Sequence, residues 1–508
     1  MRAASDSERL DSLELQDLTI RSPTYHSHHA DLRSISVIPA ENGSEDFDMS
    51  HQAEGMNLSA PERGRKRKLL KLGLSFFLFG LINNVLYVII LSAALDLVPP
   101  STPKGIIAFC NIAPALVAKL GWPYVLKGRI RYTRRIMGCC LLSFAGMLVV
   151  AFHESLNSRL LGISLASFSS GLGELTFLQL STTYSPSSVG GHSIGYFASG
   201  TGAAGLVGAF LWWEVRGLGV RLAVGLSSVL PFVLPLAYFL LLPRPSAFLD
   251  PTSSRPYSAL PVDDPDVSVA DVAEEDSLLD EQPKAPVFLT PADKWRLVKP
   301  MLLKYMLPLF CVYTFEYTIN QVKVQVPGVA PTLLYPVPSP ERYSLISKII
   351  HSIRDYYPLW QLVYQSTVFV SRSTISLGLP PLPAKLLSAP AIVQFAILVT
   401  LAFESAVGIF PEDREGSSIA LVFILISIEG ICGGLAYVNV FYRINQERPD
   451  PSTVQDPERT KQECEFKIGS LGFSDSSGIL LASMLAVPTE VQLCRLQVAR
   501  GKVFCKGL

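Results

Sequence analysis

Apolar residues in this chain gather into eleven runs long enough to cross a bilayer, separated by polar segments, the longest of them acidic. The clearest run, 72–95, holds 24 residues without a charge and stops at Asp96 and a Pro-Pro turn. About 20 such residues span ~30 Å of hydrocarbon as a helix. The other predicted spans are 105–125, 136–152, 160–184, 192–213 and 222–242, then 301–319, 360–379, 389–410, 419–442 and 468–487. Lipid offers backbone groups no hydrogen bonds, so each run is expected to be a helix. The pattern predicts an all-α integral membrane protein with about 11 transmembrane helices.

The polar segments divide these spans. Residues 1–71 are Ser-rich and acidic before a basic juxtamembrane stretch, and read as a disordered cytosolic tail. Residues 72–242 form a six-helix half and 301–490 a five-helix half. Between them, 243–300 is rich in Pro and Ser, with ten acids in 250–281, and reads as a flexible cytosolic linker. Residues 491–508 form a C-terminal tail. The first 60 residues contain no apolar h-region, so no cleavable signal peptide is expected.

Orientation follows the basic residues of short loops. Arg63, Arg65, Lys66, Arg67, Lys68 and Lys71 precede the first span, and Lys127, Arg129, Arg131, Arg134 and Arg135 follow the second. Both clusters lie on one side if the N-terminus is cytosolic, although Arg216 and Arg221 oppose the rule. Eleven spans then put the C-terminus on the far side. Six helices, a linker and five more favour a major-facilitator-like bundle of two pseudo-symmetric halves, with substrate bound between them near the midplane. The fifth run, GYFASGTGAAGLVGAF, spaces Gly195, Ala198, Ser199, Gly202, Gly205 and Gly208 for close helix packing.

Composition removes other classes. The chain is 49% apolar, 17% charged and formally neutral, so nothing in it argues for nucleic acid. Its eight cysteines show no CxxC pair or zinc-ligand spacing, which predicts neither a disulfide framework nor a metal site. No GxSxG, HExxH or P-loop occurs, and the Gly171–Gly173 stretch has no strand before it, so no enzyme activity or cofactor is implied.

The candidate chemistry is intramembrane charge: Glu174, Glu316, Glu404, Glu429 and Asp475 against Lys119 and Arg372. Each costs roughly 2.5–3.5 kcal/mol at a helix centre. Such groups are expected to face a polar cavity, pair with each other, or carry a proton. Gln361, Gln365 and Arg372 share one helical face, as do Glu316 and Asn320, and likewise Ser167, Gly171, Glu174 and Thr182. Gly433 and Gly434 follow Glu429, and serines surround Asp475. Arg372 either works in transport or clamps helices by pairing with Glu316 or Asp475. Lys119 is read as snorkelling toward the cytosolic interface. Glu404 is read as interfacial, and His153 and His192 as solvated.

Two peripheral motifs stand out. Glu274, Leu278 and Leu279 fit an acidic dileucine sorting signal, a contact for sorting adaptors. The terminal Cys505-Lys506-Gly507-Leu508 has the outline of a C-a-a-X box, but Lys and Gly are poor there and lipidation is not expected. The sequons at Asn42 and Asn57 fall in the cytosolic tail and are expected to be unused.

FFLFGLINNVLYVIILSAALDLV (76–98), SGLGELTFLQL (170–180), FEYTINQ (315–321), YQSTVFVSRST (364–374), EGICGGLAYVNVFYRI (429–444) and SDSSGILLASMLAVP (474–488) resemble the battenin family. Glu174, Glu316, Arg372, Glu429 and Asp475 fall inside these blocks; Glu404 does not. The resemblance implies an eleven-helix protein of the vacuolar or lysosomal membrane, distantly similar to equilibrative nucleoside transporters. It associates the fungal branch with vacuolar pH homeostasis and basic amino-acid transport, and the animal branch with glycerophosphodiester export. VKVQVP (322–327) interrupts the family pattern, and 491–508 extends past it.

Three functions follow as expectations. One is transport of a basic amino acid, with Glu316, Glu429 and Asp475 binding substrate or exchanging protons, and Glu174, Asn320 and Gln365 along the pathway. Another is transport of a phosphodiester, with Arg372 as phosphate ligand. The third is a non-transporting regulator of trafficking and pH.

Overall fold

The computed structural model describes residues 60–97, 104–125, 130–248, 289–320, 329–338, 341, 346–411, 414–447, 456–502 and 505. The segments 249–288 and 321–328 lie outside it, and with them the dileucine motif, most of the linker and the VKVQVP insertion.

Each predicted span is helical over most of its length, although the eighth, 360–379, leaves its helix after Arg372. The helices are α1 (Ala60–Leu97), α2 (Lys104–Val125), α3 (Tyr132–Phe152), α4 (Leu156–Ser181) and α5 (Ser187–Val215). They continue as α6 (Arg221–Leu241) and α7 (Pro291–Asn320). The last four are α8 (Tyr356–Arg372), α9 (Ala389–Ala406), α10 (Glu415–Asn445) and α11 (Pro457–Ala499). Among the described residues, nine helices are long and apolar enough to cross a membrane; α2 and α8 are the other two of the eleven. The protein is a multi-pass membrane protein.

Local chemistry sets the ends. The Ser155 hydroxyl caps α4 by accepting from Ser158 N at 3.2 Å, and Asp456 caps α11 by accepting from the Glu458 and Arg459 amides. Thr290 and Asp293 form a capping box, so α7 begins at Pro291, ten residues before the predicted span. Pro300 removes an amide donor within α7, and the helix widens into a π turn at Leu302–Met306. Cys494 near the end of α11 and Cys505 beyond it form a disulfide, a pair that the scattered cysteines did not predict.

Packing reveals two related halves. In the first, α1 lies along α5, while α2 and α3 lie along α4. In the second, α7 lies along α11, while α8 and α9 lie along α10. Adding six to each helix number converts one set into the other. The junction obeys the same rule: α2 meets α11, and α5 meets α8. These reciprocal contacts make a pseudo-two-fold pair.

Glycine permits the closest contacts. A Cβ on Gly80 would collide with the Phe197 carbonyl, and one on Gly200 with the Phe77 carbonyl, so α1 and α5 touch backbone to backbone. The small-residue stripe of α5 also serves the other half: Gly195 meets Ile375, Gly202 meets Phe369, and Gly205 meets Gln365. Large apolar side chains point outward, as Leu240, Leu303 and Ile392 do, where lipid replaces water.

Candidate functional site

A cavity with about 170 Å³ of room for water-sized molecules lies between the halves. Its walls come from α1, α2, α4 and α5 on one side and α7, α8, α10 and α11 on the other. Every third helix (α3, α6, α9) contributes nothing to it, as the repeat requires.

Four charges line the cavity: Lys119, Glu174, Arg372 and Asp475. Lys119 Nζ lies 2.8 Å from Glu174 Oε2 and 3.0 Å from Asp475 Oδ2. It is only 5% exposed, so the snorkelling expectation fails: Lys119 points inward to two carboxylates on α4 and α11. Asp475 also accepts from Ser476 N at 2.6 Å, and Glu174 Oε1 accepts from the Tyr437 hydroxyl at 2.7 Å.

Arg372 takes no carboxylate among the described residues. Nη1 donates to Thr201 Oγ1 at 2.8 Å and Nη2 to the Tyr313 hydroxyl at 3.2 Å. Its guanidinium carbon stands 4.4 Å from the centre of the Tyr437 ring. Nε is buried without an acceptor among the described residues. The expected clamp to Glu316 or Asp475 is therefore absent, because Lys119 already holds Asp475 and the end of α8 faces α5. Gln365 also lines the cavity.

The remaining predicted groups sit elsewhere. Glu316, Asn320 and Glu429 form a second buried cluster inside the second half, where Asn320 Nδ2 donates to Glu429 Oε1 at 2.7 Å. Tyr364 separates the clusters, since it lines the cavity while its hydroxyl donates to Glu316. Gly433 makes room: a Cβ there would lie 2.5 Å from Glu316 Oε2. Glu404 is buried near the end of α9, accepting from the Tyr335 hydroxyl at 3.0 Å and Ile409 N at 2.6 Å, and does not line the cavity. His192 is not simply solvated, for its Nε2 lies 3.2 Å from the Leu69 carbonyl.

Sequence reasoning missed Thr201, Tyr313, Tyr437 and the inward role of Lys119. Hydroxyl-bearing residues embedded in apolar runs were the available signal.

Hydrogen bonds between the halves fall at cavity level or toward the end where α1 and α5 begin, among the described residues. There Gln446 Nε2 donates to the Ser187 carbonyl at 2.7 Å, and the Tyr132 hydroxyl to Glu465 Oε1 at 2.5 Å. Gln179 Nε2 also donates to the Glu465 carbonyl at 2.9 Å.

The chain is similar to several known proteins. The family model described as CLN3 protein matches residues 74–496. Protein BTN1 of Mycosarcoma maydis is 43% identical over 536 residues, covering 95% of each chain. Protein BTN1 of Cryptococcus neoformans is 42% identical, covering 88% of this chain and 97% of its own. Protein btn1 of Schizosaccharomyces pombe is 37% identical, covering 87% and 98% respectively. Among solved structures, the major facilitator superfamily transporter FucP in the outward conformation has a TM-score of 0.45 at 13% identity, covering 85% of this chain and 98% of that one. A bacterial homologue of the iron transporter ferroportin, outward-facing, scores 0.48 at 13% identity, covering 86% and 96%. From its family match and from relatives aligned over most of their length, the chain belongs to the CLN3 protein family, the battenins.

Proposed function

We propose that this protein is a carrier that moves a small polar solute across a vacuolar, lysosome-like membrane by alternating access between its two halves. A cavity shared by eight helices of a pseudo-symmetric bundle supports that reading, as does buried charge that a purely structural bundle has no need to hold. The basic flanks of α1 and of the α2–α3 loop support a cytosolic N-terminus.

The geometry favours a solute bearing an anionic group, such as a phosphodiester. Arg372 carries this choice. Both cavity carboxylates are paired to Lys119, whereas among the described residues the guanidinium meets hydroxyls and an aromatic face. A guanidinium fork matches phosphate oxygens in pairs. A basic amino acid, linked to vacuolar pH through protons on Glu316, Glu429 and Asp475, has less support. Of those three acids only Asp475 lines the cavity, and its charge is already engaged.

Uptake by the purified protein in liposomes decides between the two. Saturable entry of a glycerophosphodiester, lost in Arg372→Gln, is the expected result. Entry of arginine with no entry of phosphodiester would reverse the assignment, and entry of neither would leave regulation of trafficking and pH as the better reading.

A further inference from the structure

Behind the cavity wall, helices α7, α8, α9 and α10 bring five side-chain carbonyl and carboxylate groups into one buried cluster. Glu316, Asn320, Gln361, Gln394 and Glu429 are each at most 5% exposed. The direction of every amide is fixed by what its nitrogen does. Asn320 Nδ2 donates to Glu429 Oε1 at 2.7 Å, Gln361 Nε2 to the Asn320 carbonyl at 3.2 Å, and Gln394 Nε2 to the Glu429 carbonyl at 3.1 Å. The Gln394 amide also faces the Glu316 carboxylate. Turning any of these amides over would set oxygen against oxygen.

Five acceptors are then left over: Glu316 Oε2, Asn320 Oδ1, Gln361 Oε1, Gln394 Oε1 and Glu429 Oε2. None accepts a well-formed hydrogen bond from a described residue, the Gln394 amide only facing Glu316, and neither carboxylate lies within ion-pair distance of a described Lys, Arg or His. An unsatisfied buried acceptor costs about 1–3 kcal/mol, more when charged. Protons alone do not complete the set. Protonating both carboxyls turns two acceptors into donors, which serve two of the three amide oxygens and leave one without a partner. A cation seated among them would supply the positive charge that these acceptors lack. Carboxylate and amide oxygens, with no thiolate or imidazole, are the ligands of hard cations.

We propose that Glu316, Asn320, Gln361, Gln394 and Glu429 form a binding site for a hard metal cation, held by two carboxylate and three amide oxygens. A calcium-like divalent ion balances both carboxylates; a sodium-like monovalent ion balances them with one proton. Tyr364 joins this site to the cavity, because the same side chain lines the cavity and donates to Glu316. Cation binding here stands whatever solute the cavity takes.

The test uses the purified full-length protein in choline chloride at constant ionic strength. Thermal unfolding is followed as sodium, calcium or magnesium replaces choline, alongside direct binding of radioactive sodium or calcium. A ligand that binds only the folded state raises the unfolding temperature saturably. The expected result is a saturable rise with one of these cations and about one ion bound per chain. Glu429→Gln and Gln394→Leu should each weaken binding at least about tenfold, about 1.4 kcal/mol. Glu404→Gln, which alters a buried carboxylate outside the cluster, should leave cation binding intact. If Glu429→Gln does not fold, Gln361→Met and the wild-type ion count decide. The proposal fails if no cation acts differently from choline, if cluster variants bind as wild type does, or if stability follows pH alone.

Discussion

Lys119 on α2 and Asp475 on α11 sit 3.0 Å apart across the junction of the two halves, although 356 positions separate them in sequence. Arg372 on α8 reaches Thr201 on α5 at the reciprocal junction. Helices related by the repeat thus each send a cation to the opposite half. One cation finds carboxylates, while the other finds a hydroxyl. That asymmetry leaves the guanidinium as the cavity charge with no carboxylate partner among the described residues.

Removing Lys119 should damage the fold more than removing either acid. Lys119→Met leaves Glu174 and Asp475 buried and mutually repelling, a loss of about 3–5 kcal/mol. Asp475→Asn leaves Lys119 paired with Glu174 and should cost about 1–3 kcal/mol. Thermal unfolding in detergent ranks the two, and a larger loss from Asp475→Asn would contradict the assigned pairing.

Arg372→Lys keeps the charge but loses the planar fork shared between Thr201 and Tyr313. Solute affinity should fall at least about tenfold, about 1.4 kcal/mol, with a much smaller change in stability. Thr201→Val should weaken binding less, since one donor contact is freed rather than lost. Equilibrium binding of a phosphodiester by each variant tests the order.

Gly200→Val should prevent correct assembly, because any Cβ there meets the Phe77 carbonyl and α1 cannot yield without leaving the bundle. The expected loss is about 3 kcal/mol or more, at the upper end for overpacking. Gly138→Ala, with open space around its Cα, should be close to neutral. Monodisperse yield from membranes separates these outcomes.

Outside the spans, Glu447 makes stability pH-dependent. Burial opposes its charge, but the hydrogen bonds from Lys304 and Tyr305 and the nearby charges of Lys304 and Lys467 outweigh it, holding the carboxyl below its usual range. Its folded-state pKa is thus lower than its unfolded one. The contribution is fully present above the unfolded value and is lost as pH falls through the folded one. Wild type should lose more thermal stability than Glu447→Gln on moving from neutral pH to about pH 4. Parallel curves for the two proteins would show that this carboxylate contributes nothing.

The spans were legible because lipid demands unbroken apolar runs, and 72–95 or 419–442 have no other reading. The partners of charged groups were not. Lys119 lies six residues from the end of α2, where snorkelling and inward pairing give the same local pattern; only Asp475 and Glu174, brought there by folding, decide between them. Arg372 was recognised as important, yet its setting among Thr201, Tyr313 and Tyr437 depends on three other helices. Glu316 and Glu429 were assigned to the same pathway as Asp475. Composition could not reveal that Tyr364 stands between them and the cavity. Gln394 did carry a signal, as a lone amide in an otherwise apolar stretch of α9.

The bonds from Gln446 to Ser187 and from Gln179 to Glu465 end on main-chain carbonyls, groups that water satisfies equally well once exposed. Those two bonds can therefore part and reform at small net expense, unlike the one from Tyr132 to the Glu465 carboxylate. Lys119 differs: parting α2 from α11 leaves it with Glu174 but takes from Asp475 its cation. Separation becomes easy only when something else neutralises that acid. Under the proposed alternating access, that ion pair is a costlier contact to part than the carbonyl-ended bonds of the rim.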